Sequence, residues 1–177
     1  MEKEKVKERE PAQIGGGEDY ENMLKIRAAK RDRARTGKIV IKGKALPWRQ
    51  SRMGYTKRYL DWHGEGDTAA ENWTVFIKDM KIHSGKHRHQ GGIQLFVVEG
   101  EGYTVVDGEK VNWEKWDLIV FPVKPNGCEH QHFSKVPGQS AQWMAFRYHP
   151  LAGVLGNLFE HVEDSIDWKD RKKAASG

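Results

Sequence analysis

The 177-residue sequence predicts an all-β domain, an antiparallel sandwich or barrel, preceded by a helical extension. Three observations carry that expectation. Short strand-like runs follow one another from Trp73 to His149 with turn signals between them. No long helical pattern interrupts them. Asp107-Gly108 separates two of the runs, the composition of a tight hairpin.

The elements follow in order. Residues 1–17 are charged, poor in apolar side chains and end in Gly15-Gly16-Gly17, which predicts a flexible N-terminus. From Glu18 to Thr36 the pattern is helical: Glu18, Asp19 and Glu21 suit the positive end of a helix dipole, lysines and arginines the other, and Gly37 is placed to stop it. Tyr20, Met23, Leu24 and Ala28 form a narrow stripe that suits packing on the domain or on a second subunit. Ile39-Val40-Ile41 predicts a short strand over 38–42, and Pro47 then opens a loop over 48–58. Strands are expected over 73–77, 93–98, 103–106, 110–113, 118–121, 130–133 and 141–149. Pro150 ends the last, and 151–161 is expected to be a helix weakened by Gly153 and Gly156. The organisation expected is therefore a flexible 1–17, a helix-and-strand extension over 18–60, a barrel over 61–150, and a C-terminal helix and tail over 151–177.

Composition narrows the function classes. The formal net charge is +5, with much of the positive charge in 25–35 and 169–173. The first of these runs holds no aromatic residue, so it lacks a stacking platform for bases, and a solvated basic helix accounts for it better than a nucleic-acid face. No apolar run is long enough to span a bilayer, and none follows Met1 as a secretory leader requires. The single cysteine, Cys128, excludes an internal disulfide and reads as a small buried thiol. A soluble cytoplasmic protein without nucleic-acid or membrane partners is the expectation.

Four of the eight histidines lie between 87 and 132, in two His-x-His pairs. Side chains two apart on a strand share a face, so His87 projects with His89 and His130 with His132. A lone pair of this kind reads better as surface histidines in a polar loop. Two pairs flanking a hairpin favour a divalent metal, because imidazoles gathered inside a barrel are costly unless something binds them. Arg147 shares its spacing with Trp143 and Ala145, and can point inward to grip a carboxylate or outward to water. Phe96, Phe121, Trp143 and Phe146 read as core. His63, His83, His149 and His161 have no partner at ligand spacing.

The stretch from Gly85 to Gly102, with His87-Arg88-His89 inside it, resembles the first motif of the cupin superfamily: His-x-His, three or four residues, a glutamate, and a glycine some six residues on. Trp116-Asp117 through Pro125-Asn126-Gly127-Cys128-Glu129-His130 is similar to the second, with Ser134 at the place of its asparagine. Trp116 replaces the glycine of the second motif's opening turn, and Lys81 stands where the first begins with glycine. The resemblance covers residues 73–149. It implies a double-stranded β-helix, the cupin jelly-roll barrel, and a metal held by His87, His89 and His130. Gln94 then stands in the glutamate's place, as a weak ligand, a hydrogen-bond partner or a pocket wall, and His132 replaces His130 only if the register shifts. Without a carboxylate ligand the ion keeps its full charge and favours an anionic, chelating substrate.

The resemblance extends to three-histidine cupin-type dioxygenases. It implies Fe(II), O2 as co-substrate and C–C cleavage in an aromatic hydroxy acid, catechol or diketone; Arg147, by its strand spacing and if inward, is the catalytic candidate beside it. The same site with Mn, Ni or Zn implies a non-redox isomerase, lyase or decarboxylase, and a third reading is a cupin that binds a small ligand without turnover. Cupins of this size imply a homodimer, for which the Tyr20–Ala28 stripe is suited.

Overall fold

The computed structural model describes residues 18–62 and 68–175; the segment 1–17 and His63 lie outside the described residues. Helix α1 (Glu18–Thr36) has its acidic residues in the first turn and Arg33 and Arg35 in the last, as the dipole favours. The Gly37 N–H closes it by donating to the Arg33 carbonyl at 2.8 Å. None of its residues is buried, and Tyr20, Met23 and Leu24 stand in water. An ion pair from Arg33 to Glu71, 2.9 Å, ties it to the domain.

The predicted strand over 38–42 does not form. Lys38 makes one isolated bridge to Thr68, and Ile39 and Val40 are exposed. β-Branched residues favour a strand only when a neighbour offers a surface to pack on, and none lies alongside. The loop expected over 48–58 is instead a hairpin of β1 (Arg49–Ser51) and β2 (Gly54–Leu60). Its turn is held by the Met53 N–H donating to the Ser51 hydroxyl at 3.2 Å.

Then follow β3 (Trp73–Met80), β4 (Lys86–His89), β5 (Ile93–Glu99), β6 (Glu101–Val106), β7 (Glu109–Glu114), β8 (Leu118–Val120), β9 (Cys128–Ser134) and β10 (Ala141–Tyr148). Strands β6 and β7 pair through the expected Asp107-Gly108 turn, both residues at positive φ (49° and 91°), as a type I′ turn needs. After β10 the helix α2 (His149–Val154) is half the length expected, and Gly156 turns the chain at φ 93° into β11 (Phe159–Glu163). The tail foreseen over 151–177 thus adds a strand to the barrel before α3 (Ile166–Ala175).

Among the described residues eleven strands make two antiparallel sheets, β1-β2-β3-β10-β5-β8 and β11-β4-β9-β6-β7. They face each other over a core of Met80, Leu95, Val97, Trp113, Phe121, Cys128, Ala141, Trp143 and Ala145. Phe121 and Trp143 fall inside as expected. Phe96 and Phe146 do not: their strand neighbours Leu95 and Ala145 are buried, and the alternation of a strand turns the two phenylalanines outward. Gly91 and Gly92, at φ 88° and 70°, carry the chain from β4 in one sheet to β5 in the other. A Cβ on Gly91 would lie 2.1 Å from the Pro122 carbonyl oxygen, so the crossing admits only glycine there. Trp116 occupies the turn where glycine was expected and takes φ 81°. Among the described residues no helix is long and apolar enough to cross a membrane.

Candidate metal centre

Strands β4 and β9 pair with His87 opposite His130 and His89 opposite Cys128. This register stacks the inward side chains of two adjacent strands, and His87, His89 and His130 meet inside the barrel. Ring centroids are 4.2 Å apart for His87 and His130, 4.7 Å for His89 and His130, and 5.3 Å for His87 and His89. A nitrogen from each ring lies within 4.8 Å of the others. His89 and His130 are buried and His87 half-buried.

Burial withdraws water from the charged form of each ring, and the neighbouring imidazoles add repulsion. The pKa of His89 is lowered to about 3 and that of His130 to about 4, burial being the largest cause for both. His87 is held well below its usual value for the same reason. The three rings are therefore neutral at pH 7 and present nitrogen lone pairs, the form a metal binds.

Their second nitrogens differ. His130 donates from Nδ1 to the Cys128 carbonyl at 3.1 Å, which leaves Nε2 open. The His87 Nδ1 is buried with no hydrogen-bond partner, a costly state that a bound cation or a proton donor would relieve. The His89 Nδ1 accepts the Gly91 N–H at 3.0 Å, so the neutral ring carries its hydrogen on Nε2 and must exchange tautomers to ligate through that atom. The donor set fits a divalent transition metal: three imidazoles and no carboxylate.

His132 lies beside the cluster, its ring 5.5 Å from that of His130, but is held otherwise. The Trp113 indole N–H donates to the Thr104 hydroxyl at 2.9 Å, and that hydroxyl donates to the His132 Nδ1 at 2.8 Å. The expected strand register is kept, and His130 rather than His132 joins the trio.

Gln94 does not reach the centre. It is exposed on the outer face of β5, while Ile93 and Leu95 on either side of it line the cavity. The glutamate's inward place falls to Ile93, with three residues between it and the His-x-His pair rather than four. The sequence held the signal: the motif's glycine, seven positions on, is Gly100 when counted from Ile93 and glutamate when counted from Gln94. The centre therefore has an aliphatic side chain where a fourth ligand was expected.

A cavity of about 590 Å³ opens beside the histidines. Phe76, Ile93, Leu95, Phe121, Trp143 and Phe159 give it apolar walls, and no aspartate or glutamate is among the described residues that line it. Arg147 turns inward: it lines the cavity, it is half-buried, and its Nε is buried without a partner. Two further cations were not foreseen. Arg58 from β2 is paired with Asp61 at 3.1 Å. Lys78 from β3 is buried, and desolvation, then Arg58, lowers its pKa to about 7. The strand expected over 73–77 was cut one residue short of Lys78, although Thr74, Phe76 and Lys78 share an inward face. Of the other histidines, His149 lies at the cavity with its Nε2 2.7 Å from the Thr74 hydroxyl, while His161 pairs with Asp164 at 2.9 Å.

No family model matches the chain. A gentisate 1,2-dioxygenase from Streptomyces sp. is 32% identical over 93 residues, 51% of this chain and 25% of that protein, so the chain spans about a quarter of the length of the curated relative it matches. Among solved structures the polyketide cyclase RemF from Streptomyces resistomycificus superposes with a TM-score of 0.53 at 15% identity, over 73% of this chain and 89% of that one. A variant salicylate 1,2-dioxygenase from Pseudoaminobacter salicylatoxidans, in complex with gentisate, gives 0.51 at 21% identity, over 82% of this chain and 37% of that one. A cupin-like protein from Thermotoga maritima gives 0.50 at 19% identity, over 76% and 96%. Two antiparallel sheets closed around an inward histidine cluster give the chain the fold of a cupin barrel.

Proposed function

We propose that the chain is a metal-dependent enzyme acting on a small anionic chelating substrate, an Fe(II) dioxygenase that cleaves a C–C bond of an aromatic hydroxy acid, catechol or diketone with O2. The observation that carries this reading is the charge of the cavity: the three clustered imidazoles and three cationic side chains are among its lining, and no carboxylate is among the described residues there. A divalent ion among those rings keeps its full charge and attracts a ligand that brings negative oxygens. The partial likeness to a gentisate dioxygenase supports the same choice of substrate class.

Bound there, Fe(II) would supply Lewis acidity toward the substrate oxygens and redox chemistry toward O2. The protein's own residues do the rest. The His130 ring is aimed by the Cys128 carbonyl. Arg147, which lines the cavity and whose buried Nε has no hydrogen-bond partner, holds the substrate carboxylate beside the chelating oxygens. Ile93, Leu95, Phe121 and Trp143 keep water from the reacting face. The reading includes a homodimer in a reducing cytoplasmic setting. Helix α1 leaves its apolar residues unpacked within one chain, and the lone thiol of Cys128 is buried.

The test is metal analysis of protein purified without chelator, then anaerobic titration of the Fe(II) form with gentisate, catechols and diketones. The expected result is one iron per chain, a charge-transfer band with at least one of these ligands, and oxygen uptake when air is admitted. Turnover without oxygen uptake would move the reaction to the non-redox class. Failure to hold any metal would remove the reading. Arg147→Met should weaken the carboxylate ligands roughly 10- to 100-fold, as expected for loss of a charge-assisted pair, and leave metal content alone.

A further inference from the structure

The reading above counts Lys78 among the cavity's cations but gives it no contact of its own. Its side chain is 2% exposed on an inward position of β3, where a barrel strand ordinarily carries an apolar residue. A buried ammonium is costly unless it is paired. Lys78 has three donors and makes one hydrogen bond, to the Met53 carbonyl at 2.8 Å. It also lies over the Trp143 ring, 5.3 Å from the centroid. Arg58 repels it, and no acid is among the described residues that line the cavity.

The sheet register separates it from Arg147. Lys78 stands opposite Trp143 on β10, and Arg147 lies four residues further along that strand, roughly 13 Å at the rise of an extended chain. Trp143 stacks near His132, ring centroids 4.8 Å apart, so Lys78 belongs to the His132 end of the cavity. The electrostatics agree: Arg147 acts on His89, and Lys78 acts on His87, His130 and His132. The cavity thus has a separate cation at each end of the histidine row, both on the sheet that faces it.

We propose that Lys78 is a second anion-binding residue of this cavity, so that the ligand carries a second carboxylate, seated on the Lys78 ammonium, beyond the oxygens directed to the histidine cluster and Arg147. This rests on the reading of the site as a cation-dependent pocket for chelating acids. A second carboxylate would meet the two unused ammonium donors in a region of low dielectric, where such a bond is strong. It would also relieve the repulsion that Lys78 now bears.

The experiment is calorimetric titration of the Zn(II)-loaded protein with two probes, salicylate and 4-hydroxyisophthalate, which is salicylate with a second carboxylate across the ring. The dicarboxylate is expected to bind at least about tenfold tighter, the value of one charge-assisted hydrogen bond. Lys78→Met should abolish the preference, while Lys78→Arg should keep one. Equal binding of both probes by the wild-type protein overturns the proposal and leaves the chelating reading in place. So does a Lys78→Met protein that melts at lower temperature but keeps the preference, because Lys78 is then only a tie to the β1–β2 turn. Zinc held stoichiometrically with neither acid bound overturns the chelating reading and this inference together.

Discussion

The four inward imidazoles make the metal-free protein sensitive to mild acid, and the size of the effect can be worked out. Each ring of His87, His89, His130 and His132 has its folded-state pKa depressed, with burial the main cause. Below the ordinary value of 6.5 the unfolded chain takes up a proton at each ring that the folded chain refuses. Stability is therefore full above about pH 7 and falls as pH drops through 6.5 toward the folded values, about 4 for His130 and about 3 for His89. At pH 5.5 the loss is RT ln(1 + 10), about 1.4 kcal/mol for each fully buried ring. His89, His130 and His132 are 1–2% exposed, so they contribute together about 4 kcal/mol; half-buried His87 adds less. That is a large part of the roughly 5–15 kcal/mol that holds a domain folded. The assay is urea unfolding in excess chelator at pH 8 and pH 5.5. A difference of about 4 kcal/mol is expected, reduced when Zn(II) is supplied at a pH where it binds. Equal stability at the two pH values would mean that the folded rings take up protons freely, and the neutral donor set would be lost with it.

Other outcomes follow from single positions. Alanine at His87, His89 or His130 should each remove the bound metal, read by elemental analysis, while Gln94→Ala should leave it unchanged because Gln94 faces outward. Gly102→Ala should cost more than about 3 kcal/mol in thermal or urea unfolding, since a Cβ there would lie 2.2 Å from the Phe133 carbonyl oxygen and 2.3 Å from the Trp113 ring. Trp116→Gly should stabilise the fold by about 1 kcal/mol, because Trp116 is 65% exposed and strained at φ 81°; a lower melting temperature would show that its contact with Phe96 outweighs the strain.

How much of this was legible in the sequence depended on which physical signal each element carried. The hairpin at Asp107-Gly108 announced itself because a type I′ turn demands positive φ at both central residues, and few dipeptides accept it. The His87, His89 and His130 grouping was legible because strand alternation is rigid. The β1–β2 hairpin was not: Arg49, Arg52, Lys57 and Arg58 break the apolar alternation of a strand that lies at the sheet's edge, with its outer face in water. Strand β11 was hidden because it pairs only with β4, a partner some seventy residues away that no local pattern names. The one-residue error at Gln94 has the same root as the successes. On a strand a shift of one residue reverses the face, so a count of three or four after His89 decides between a cavity wall and the solvent.

The barrel divides its chemistry between its two sheets. Strands β4 and β9 of one sheet supply neutral nitrogen donors, and β2, β3 and β10 of the other supply Arg58, Lys78 and Arg147. Each half is unfavourable alone: the imidazoles are buried with a nitrogen unpaired at His87, and Lys78 is buried with no acid among the described residues of the cavity. A metal settles only the first half and makes the second worse, because it adds positive charge to a cavity that already repels it. An anionic ligand settles the second, and its oxygens complete the first. Metal and anion should therefore bind with positive coupling, each tightening the other by the same factor. Titrating Zn(II) with and without saturating salicylate measures that factor directly. A zinc affinity indifferent to the acid would mean that the two sheets do not serve one site.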